Sequence, residues 1–493
     1  MTQKNRWRAG ATRATTARAA ADRTAFATAV TMSAAALLAV TALTAGPAAA
    51  DPASGPADPA NGPVGNSSEL PGASGSAAGS AAIDGALPGN PVWNDPAADP
   101  FYQPPESIPA PGTVIRTAPA QQLLQKVGID WPGTAEKIMY ASVNELGQPT
   151  AVTGVVLTPT AEWTGEGERP TVVLAPGTLG QGRQCAPSLG YGMFLNVNPG
   201  IPTVAVDYEL ISAYGALSRG ARVVMTDYIG MGTPGPHTYV NSTDEAHAVL
   251  DAARAGLRHA GLPADAPVAI MGYSQGGGAA ASAAERAADY APDLNITATY
   301  AGAPPADLRE VLKHIDGSLI TGAVGYALNT GLRYKPELEG LIDTHLNQEG
   351  ADFLNSVRSQ CIVDTAATWG LRNTTEFTKD GISFSELLDR IPEVAAYVDE
   401  QRLGQPGRVP NHPIRIDISA ADDVIPVGQV IQLGHDYCAQ GGHVDMHVHE
   451  MKPTLPRSAI DHALPMLVNQ SDSLDFIMDS FGGNVPPSTC GSF

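Results

Sequence analysis

Positive charge is scarce in this chain. Its 493 residues hold 29 Lys plus Arg against 50 Asp plus Glu, a formal net charge of −21. Such a balance repels nucleic acid and anionic surfaces at long range, so no nucleic-acid partner is expected and a neutral substrate fits better. Cysteine is equally sparse. Cys185, Cys361, Cys438 and Cys490 are the whole set, and none are spaced like a metal knuckle. In an exported chain an even count implies disulfides, here two, with three possible connectivities. After residue 50 no segment is apolar and long enough to span a membrane as a helix. No internal repeat is visible.

What is present begins with an export signature. Six basic residues and one acid among the first 50 carry +5, which leaves −26 on the remainder. The basic start leads into the apolar stretch "FATAVTMSAAALLAVTALTAG" (26–46), and Ala48 and Ala50 precede Asp51 in a small-x-small pattern. Residues 1–50 therefore read as a cleaved signal peptide, and the protein as secreted or held in the envelope. Residues 51–92 are Pro, Gly, Ala, Ser and Asn with almost nothing to bury. They read as a disordered linker.

From residue 93 short apolar strands alternate with helices. Strands are expected at 137–144, 150–160, 171–177, 221–230, 266–272, 295–303, 413–420 and 443–450. Helices are expected at 242–260, 275–289 and from about 458 to 477. Ser242 and Glu245 have the spacing of a capping box. Continuous apolar strands between helices imply an α/β fold: a mainly parallel sheet with helices on both faces. Between 306 and 410 the alternation gives way to helical spacing alone, which reads as a helical cap inserted between two parts of the core, 93–305 and 411–493.

The stretch "VAIMGYSQGGGAA" (268–280) carries the chemistry. Gly272-Tyr273-Ser274-Gln275-Gly276 fits G-x-S-x-G, a strand–turn–helix that lifts a serine above the sheet; the flanking glycines relieve the close approach of the chain. A hydroxyl is a poor nucleophile at neutral pH and needs a base, itself oriented by an acid. In the chain order of this fold the acid follows the serine and the histidine comes last. Asp422 and Asp423, after the strand at 413–420, are the acid candidates, with Asp422 preferred. Among His435, His443, His447, His449 and His462, the last stands after the final strand, where the base belongs. His443, Asp445, His447 and His449 share one strand face, but residues two apart on a strand stand roughly 7 Å apart and rarely wrap one ion, so no metal is expected, and no organic cofactor. The oxyanion of acyl transfer needs two donors. The backbone N–H of Gln275 is one; Gly177 or Thr178, in the glycine-rich loop after the strand at 171–177, is the other. Four Asn-x-Ser/Thr matches, at Asn66, Asn241, Asn295 and Asn373, are taken as chance.

Together, "APGTLGQGRQCAPS", "MTDYIGMGTPGPHTY", "DAARAG", "GYSQGG", "DDVIP" and "DHA" resemble the secretory lipases of the α/β-hydrolase superfamily, found in yeasts and actinobacteria. The resemblance covers most of residues 95–485. It implies an α/β-hydrolase core, a helical cap, and hydrolysis of lipid esters such as acylglycerols, with Ser274 as nucleophile, Asp422 as acid and His462 as base. It also implies the pairs Cys185–Cys361 and Cys438–Cys490, each stabilising by roughly 3–5 kcal/mol on a loop-entropy view. The 51–92 linker lies outside the family pattern. A monomer acting at a lipid–water interface is expected. Two other functions share this sequence: an envelope acyltransferase using the same three residues, and a hydrolase-like binding module without catalysis.

Overall fold

The computed structural model describes residues 95–120, 131–190, 192, 194–198 and 203–493. The expected signal peptide and linker lie outside them. The core is a nine-stranded sheet in the order β1-β2-β3-β7-β4-β8-β9-β10-β11. β1 (Val114–Pro119), β2 (Gly133–Val143) and β3 (Pro149–Pro159) pair antiparallel, and β3 joins β7 (Arg222–Thr226) antiparallel as well. β4 (Thr171–Ala175), β8 (Pro267–Tyr273), β9 (Asn295–Gly302), β10 (Ile414–Ser419) and β11 (Val444–His449) continue from β7 in parallel. β5 (Leu195–Asn198) and β6 (Thr203–Val206) form a separate antiparallel pair.

Alternate residues of β4 and β8 enter two different cores, which is why those two strands are apolar along nearly their whole length. Val173, Val268 and Ile270 pack with Ala248, Ala252, Ala279 and Ala283 of α2 (Ser242–His259) and α3 (Gln275–Tyr290). Val172, Leu174, Ala269 and Met271 pack on the opposite face. There they meet Leu217 of α1 (Leu210–Ser218) and, from the end of the chain, Leu474 and Ile477. Alanines on α2 and α3 let both helices approach the sheet closely.

Between β9 and β10 the chain forms α4 (Leu308–Ile315), α5 (Ala323–Tyr334), α6 (Glu339–His345), α7 (Gln348–Val357), α8 (Ile362–Trp369), α9 (Phe384–Arg390) and α10 (Pro392–Glu400). α11 (Val427–Ala439) separates β10 from β11, and α12 (Ile460–Val468) and α13 (Gln470–Ser480) follow.

Two local expectations need correction. The cap of α2 is Asn241, not Ser242: the Asn241 side chain accepts the N–H of Asp244 at 2.9 Å. Ser242 is one residue inside and hydrogen-bonds to Gln401 instead. The final helix is two helices, the first ending at Val468 with Pro465 inside it and the second beginning at Gln470.

Both disulfides are formed, Cys185 with Cys361 and Cys438 with Cys490, and no cysteine among the described residues is free. The first joins the loop after β4 to the start of α8. The second fastens the chain end beside β11, where Thr489 donates its N–H to Val444 O at 2.8 Å.

Candidate active site

The strand β8 ends at Tyr273 and α3 begins at Gln275, so Ser274 alone makes the turn. It does so with φ 60° and ψ −126°, a backbone conformation strained for a residue with a side chain. Its N–H is held by Gly302 O at 2.9 Å. The turn closes only because its neighbours lack side chains. A Cβ on Gly272 would stand 2.1 Å from Gly276 O, and one on Gly276 would stand 2.0 Å from Ala175 O.

Asp422 lies on the loop after β10 with its side chain wholly buried. Its Oδ1 accepts the N–H groups of Val424 and Ile425, at 2.9 and 2.7 Å. Its Oδ2 stands 2.8 Å from Nδ1 of His462, the third residue of α12. This bond sets the imidazole with Nδ1–H toward the carboxylate and leaves Nε2 as the basic nitrogen. That Nε2 is buried and makes no hydrogen bond among the described residues. The residue before Ser274 touches the same histidine: the Tyr273 hydroxyl donates to His462 O at 2.8 Å, and the two rings lie 5.3 Å apart. Asp423 does not reach the imidazole. It accepts the backbone N–H of His462 at 3.0 Å.

The oxyanion candidates divide. Gly177 donates its N–H to Glu209 Oε1 at 3.1 Å, so that donor is already engaged. Burial holds the Glu209 carboxyl up at about 8, against the opposing pull of the Gly177 N–H. Gly177 is also crowded, since a Cβ there would meet the Tyr208 hydroxyl at 2.2 Å. The Thr178 N–H has no acceptor among the described residues, and that of Gln275 belongs to the unpaired first turn of α3. Thr178 is fixed from two sides, by its hydroxyl to the Tyr239 hydroxyl at 2.8 Å and by its carbonyl to the Tyr208 hydroxyl at 3.2 Å.

Beneath Gln275 lies a polar network that sequence reasoning missed. The Gln275 amide nitrogen stands 2.7 Å from Glu245 Oε1 and 2.6 Å from His237 Nε2. Burial pushes Glu245 up to about 8 and His237 down to about 4, so both are neutral near pH 7. Neutral partners suit a desolvated site, because no charge has to be buried there. The capping-box spacing assigns Glu245 to the start of α2; its carboxyl oxygen instead accepts the Val240 N–H at 3.0 Å. No motif marks Glu209, and His237, although it stands inside "MTDYIGMGTPGPHTY", carries no role there; both act through tertiary contact.

Ser274 and Gln275 line a cavity of about 110 Å³. Most of its wall is aliphatic: Leu308, Val311 and Leu312 of α4, Val324 and Leu328 of α5, and Leu388 of α9. The histidines in and just before β11 are engaged elsewhere. His447 pairs with Asp445 and His449 with Asp417, while His443, one residue before the strand, bonds Pro486 O.

Known proteins resemble this chain over most of its described length. The sequence model of the family described as secretory lipase matches residues 195–488. A probable inactive lipase of Mycobacterium tuberculosis is 29% identical over 370 residues, covering 71% of this chain and 76% of that protein. Lipase A of Moesziomyces aphidis is 25% identical over 407 residues, covering 81% and 83%. The X-ray structure of Candida antarctica lipase A superposes with a TM-score of 0.69 at 23% identity, covering 81% of this chain and 89% of that one. That likeness makes the fold an α/β-hydrolase fold.

Proposed function

The chain belongs to the secretory lipase family, and we propose that it is a secreted serine esterase that hydrolyses carboxylic esters of long-chain acyl groups, acylglycerols among them. Ser274 Oγ attacks the ester carbonyl and His462 Nε2 takes its proton. Asp422 holds the ring in the required tautomer and stabilises the imidazolium. The N–H groups of Thr178 and Gln275 receive the charge that develops on the carbonyl oxygen. His462 then returns the proton to the leaving alcohol, and water, deprotonated by the same nitrogen, releases the acid from Ser274. The helical stretch 306–410 acts as the cap that supplies the acyl chamber.

The observation that carries this reading is the Asp422–His462 pair with its unbonded Nε2, next to a strained serine that opens on an aliphatic chamber. An aliphatic lining drawn from α4, α5 and α9 favours an alkyl chain over a short acyl group, because each methylene placed against it leaves water. The test is hydrolysis of p-nitrophenyl esters from C2 to C16 by the secreted form and by Ser274→Ala. Rising kcat/KM with chain length, abolished in Ser274→Ala, is the expected result.

The name of the mycobacterial relative favours a second reading, a folded hydrolase scaffold without turnover. A fluorophosphonate probe separates the two. Labelling that disappears in Ser274→Ala supports the esterase; a wild-type protein that takes up no label while folded sinks it.

A further inference from the structure

Asp422 and Asp423 are adjacent in sequence, yet they grip one histidine at two different places. Asp422 engages Nδ1 of the His462 ring. Asp423 engages the backbone of the segment that carries that ring. Its Oδ1 accepts the N–H of His462 at 3.0 Å, and its Oδ2 accepts those of Ser458 and Ala459, both at 2.9 Å.

The segment has reason to relax without such a clamp. Arg457 and Ala459 are both left-handed, with φ of 65° and 64°, though neither is glycine. Such strained residues persist only where their surroundings over-determine them. Asp461 braces the earlier part of the segment, accepting the N–H of Thr454 at 2.8 Å and also the Thr454 hydroxyl. That bracing stays within the segment. Asp423 ties the backbone of the segment to the loop after β10, while Asp422 of the same loop holds only the imidazole. Burial raises the Asp423 carboxyl above its usual range, and the N–H of Ala459 leads the groups that pull it back.

A bond at Nδ1 alone lets an imidazole pivot about its partner. A second bond at the backbone of the same residue removes that freedom. We propose that Asp423 is a positioning residue: through three backbone N–H groups it fixes His462 against Asp422 and so sets where Nε2 meets Ser274. This rests on the reading of Ser274 and His462 given above.

Asparagine at 423 keeps the size but replaces one acceptor oxygen with a donor that faces N–H groups. Glutamate keeps both acceptors but moves them by one methylene. For the secreted full chain, Asp423→Asn is expected to lower kcat by about 10–100-fold, the scale of an ångström-level misplacement, with KM nearly unchanged. Asp423→Glu is expected to recover part of the loss, and it carries the comparison if Asp423→Asn does not fold. A second readout is independent of turnover: the low-field proton NMR resonance of His462 Nδ1–H, assigned by its loss in Asp422→Asn. It is expected to shift or broaden in the position-423 variants. An unchanged kcat, a KM that rises as far as kcat falls, or an unmoved resonance overturns the proposal. If the wild type neither turns over esters nor labels at Ser274, the esterase reading falls, while the resonance alone still decides whether Asp423 places the imidazole.

Discussion

Ser274 holds its strained conformation because two glycines and two carbonyl oxygens are in near contact around it. Gly276→Ala is therefore expected to abolish ester hydrolysis and to cost at least about 2 kcal/mol, since the new methyl meets backbone that has nowhere to go. Gly428 makes the contrast. It lies inside α11 with nothing within 4 Å of where a methyl group would stand, so Gly428→Ala should leave activity intact and raise stability by roughly 0.5 kcal/mol or more. Thermal melts and ester assays on the pair check both. At the oxyanion side, Tyr239→Phe removes one of the two bonds that hold Thr178. A fall of several-fold in kcat with an unchanged melting temperature is expected, because loosening a donor costs transition-state binding more than fold stability.

Among the elements, those with strong patterns were legible in the sequence and those made by tertiary contact were not. β4, β7 and β8 are largely apolar runs buried on both faces, and their parallel arrangement follows from that, whereas β10 alternates Ile414, Ile416 and Ile418 with Arg415, Asp417 and Ser419. The elbow was legible because glycine spacing has only one steric purpose there. The triad candidates followed from chain order on the fold. α1, α11 and the β5–β6 pair were missed: the β5 and β6 strands are only four residues long, and α1 and α11 are short stretches between stronger strand signals. The capping error at α2 arose because "NST" offers three side chains able to cap, and only the tertiary bond of Ser242 to Gln401 takes it out of that role. Glu209 carries no signal in the sequence; its bond to Gly177 depends on where α1 begins. The link between Cys185 and Cys361 spans a sequence separation of 176. Replacing both with alanine is expected to lower stability by roughly 3–5 kcal/mol and to loosen α8 from the loop that carries Thr178. Denaturant titration and limited proteolysis at the start of α8 would register both effects.

For the molecule as a whole, the buried ionisable groups set a pH window. Glu209 and Glu245 titrate at about 8 in the folded chain and at about 4.3 when unfolded. The folded state thus binds the extra protons, and stability falls as pH rises from about 4.5 to 8. His237 and His412 run the other way. Burial holds both down at about 4, so the unfolded chain binds the extra protons below about 6.5 and stability falls on acidification. Between about 6.5 and 8 only the carboxyl effect of these four groups remains. The melting temperature is expected to decline across that interval, and Glu209→Gln should flatten the decline. A decline of the same slope in Glu209→Gln would show that this carboxyl is not its source.

β11 closes the sheet, and the chain end laid along it by Cys438–Cys490 occupies backbone groups that would otherwise face outward. An unoccupied strand border is a template on which a second copy can add its own strand. Export into an oxidising medium therefore does more for this protein than rigidify it. Under reducing conditions the tail is free to leave, and copies gain a surface on which to stack into aggregates while their interiors are still intact.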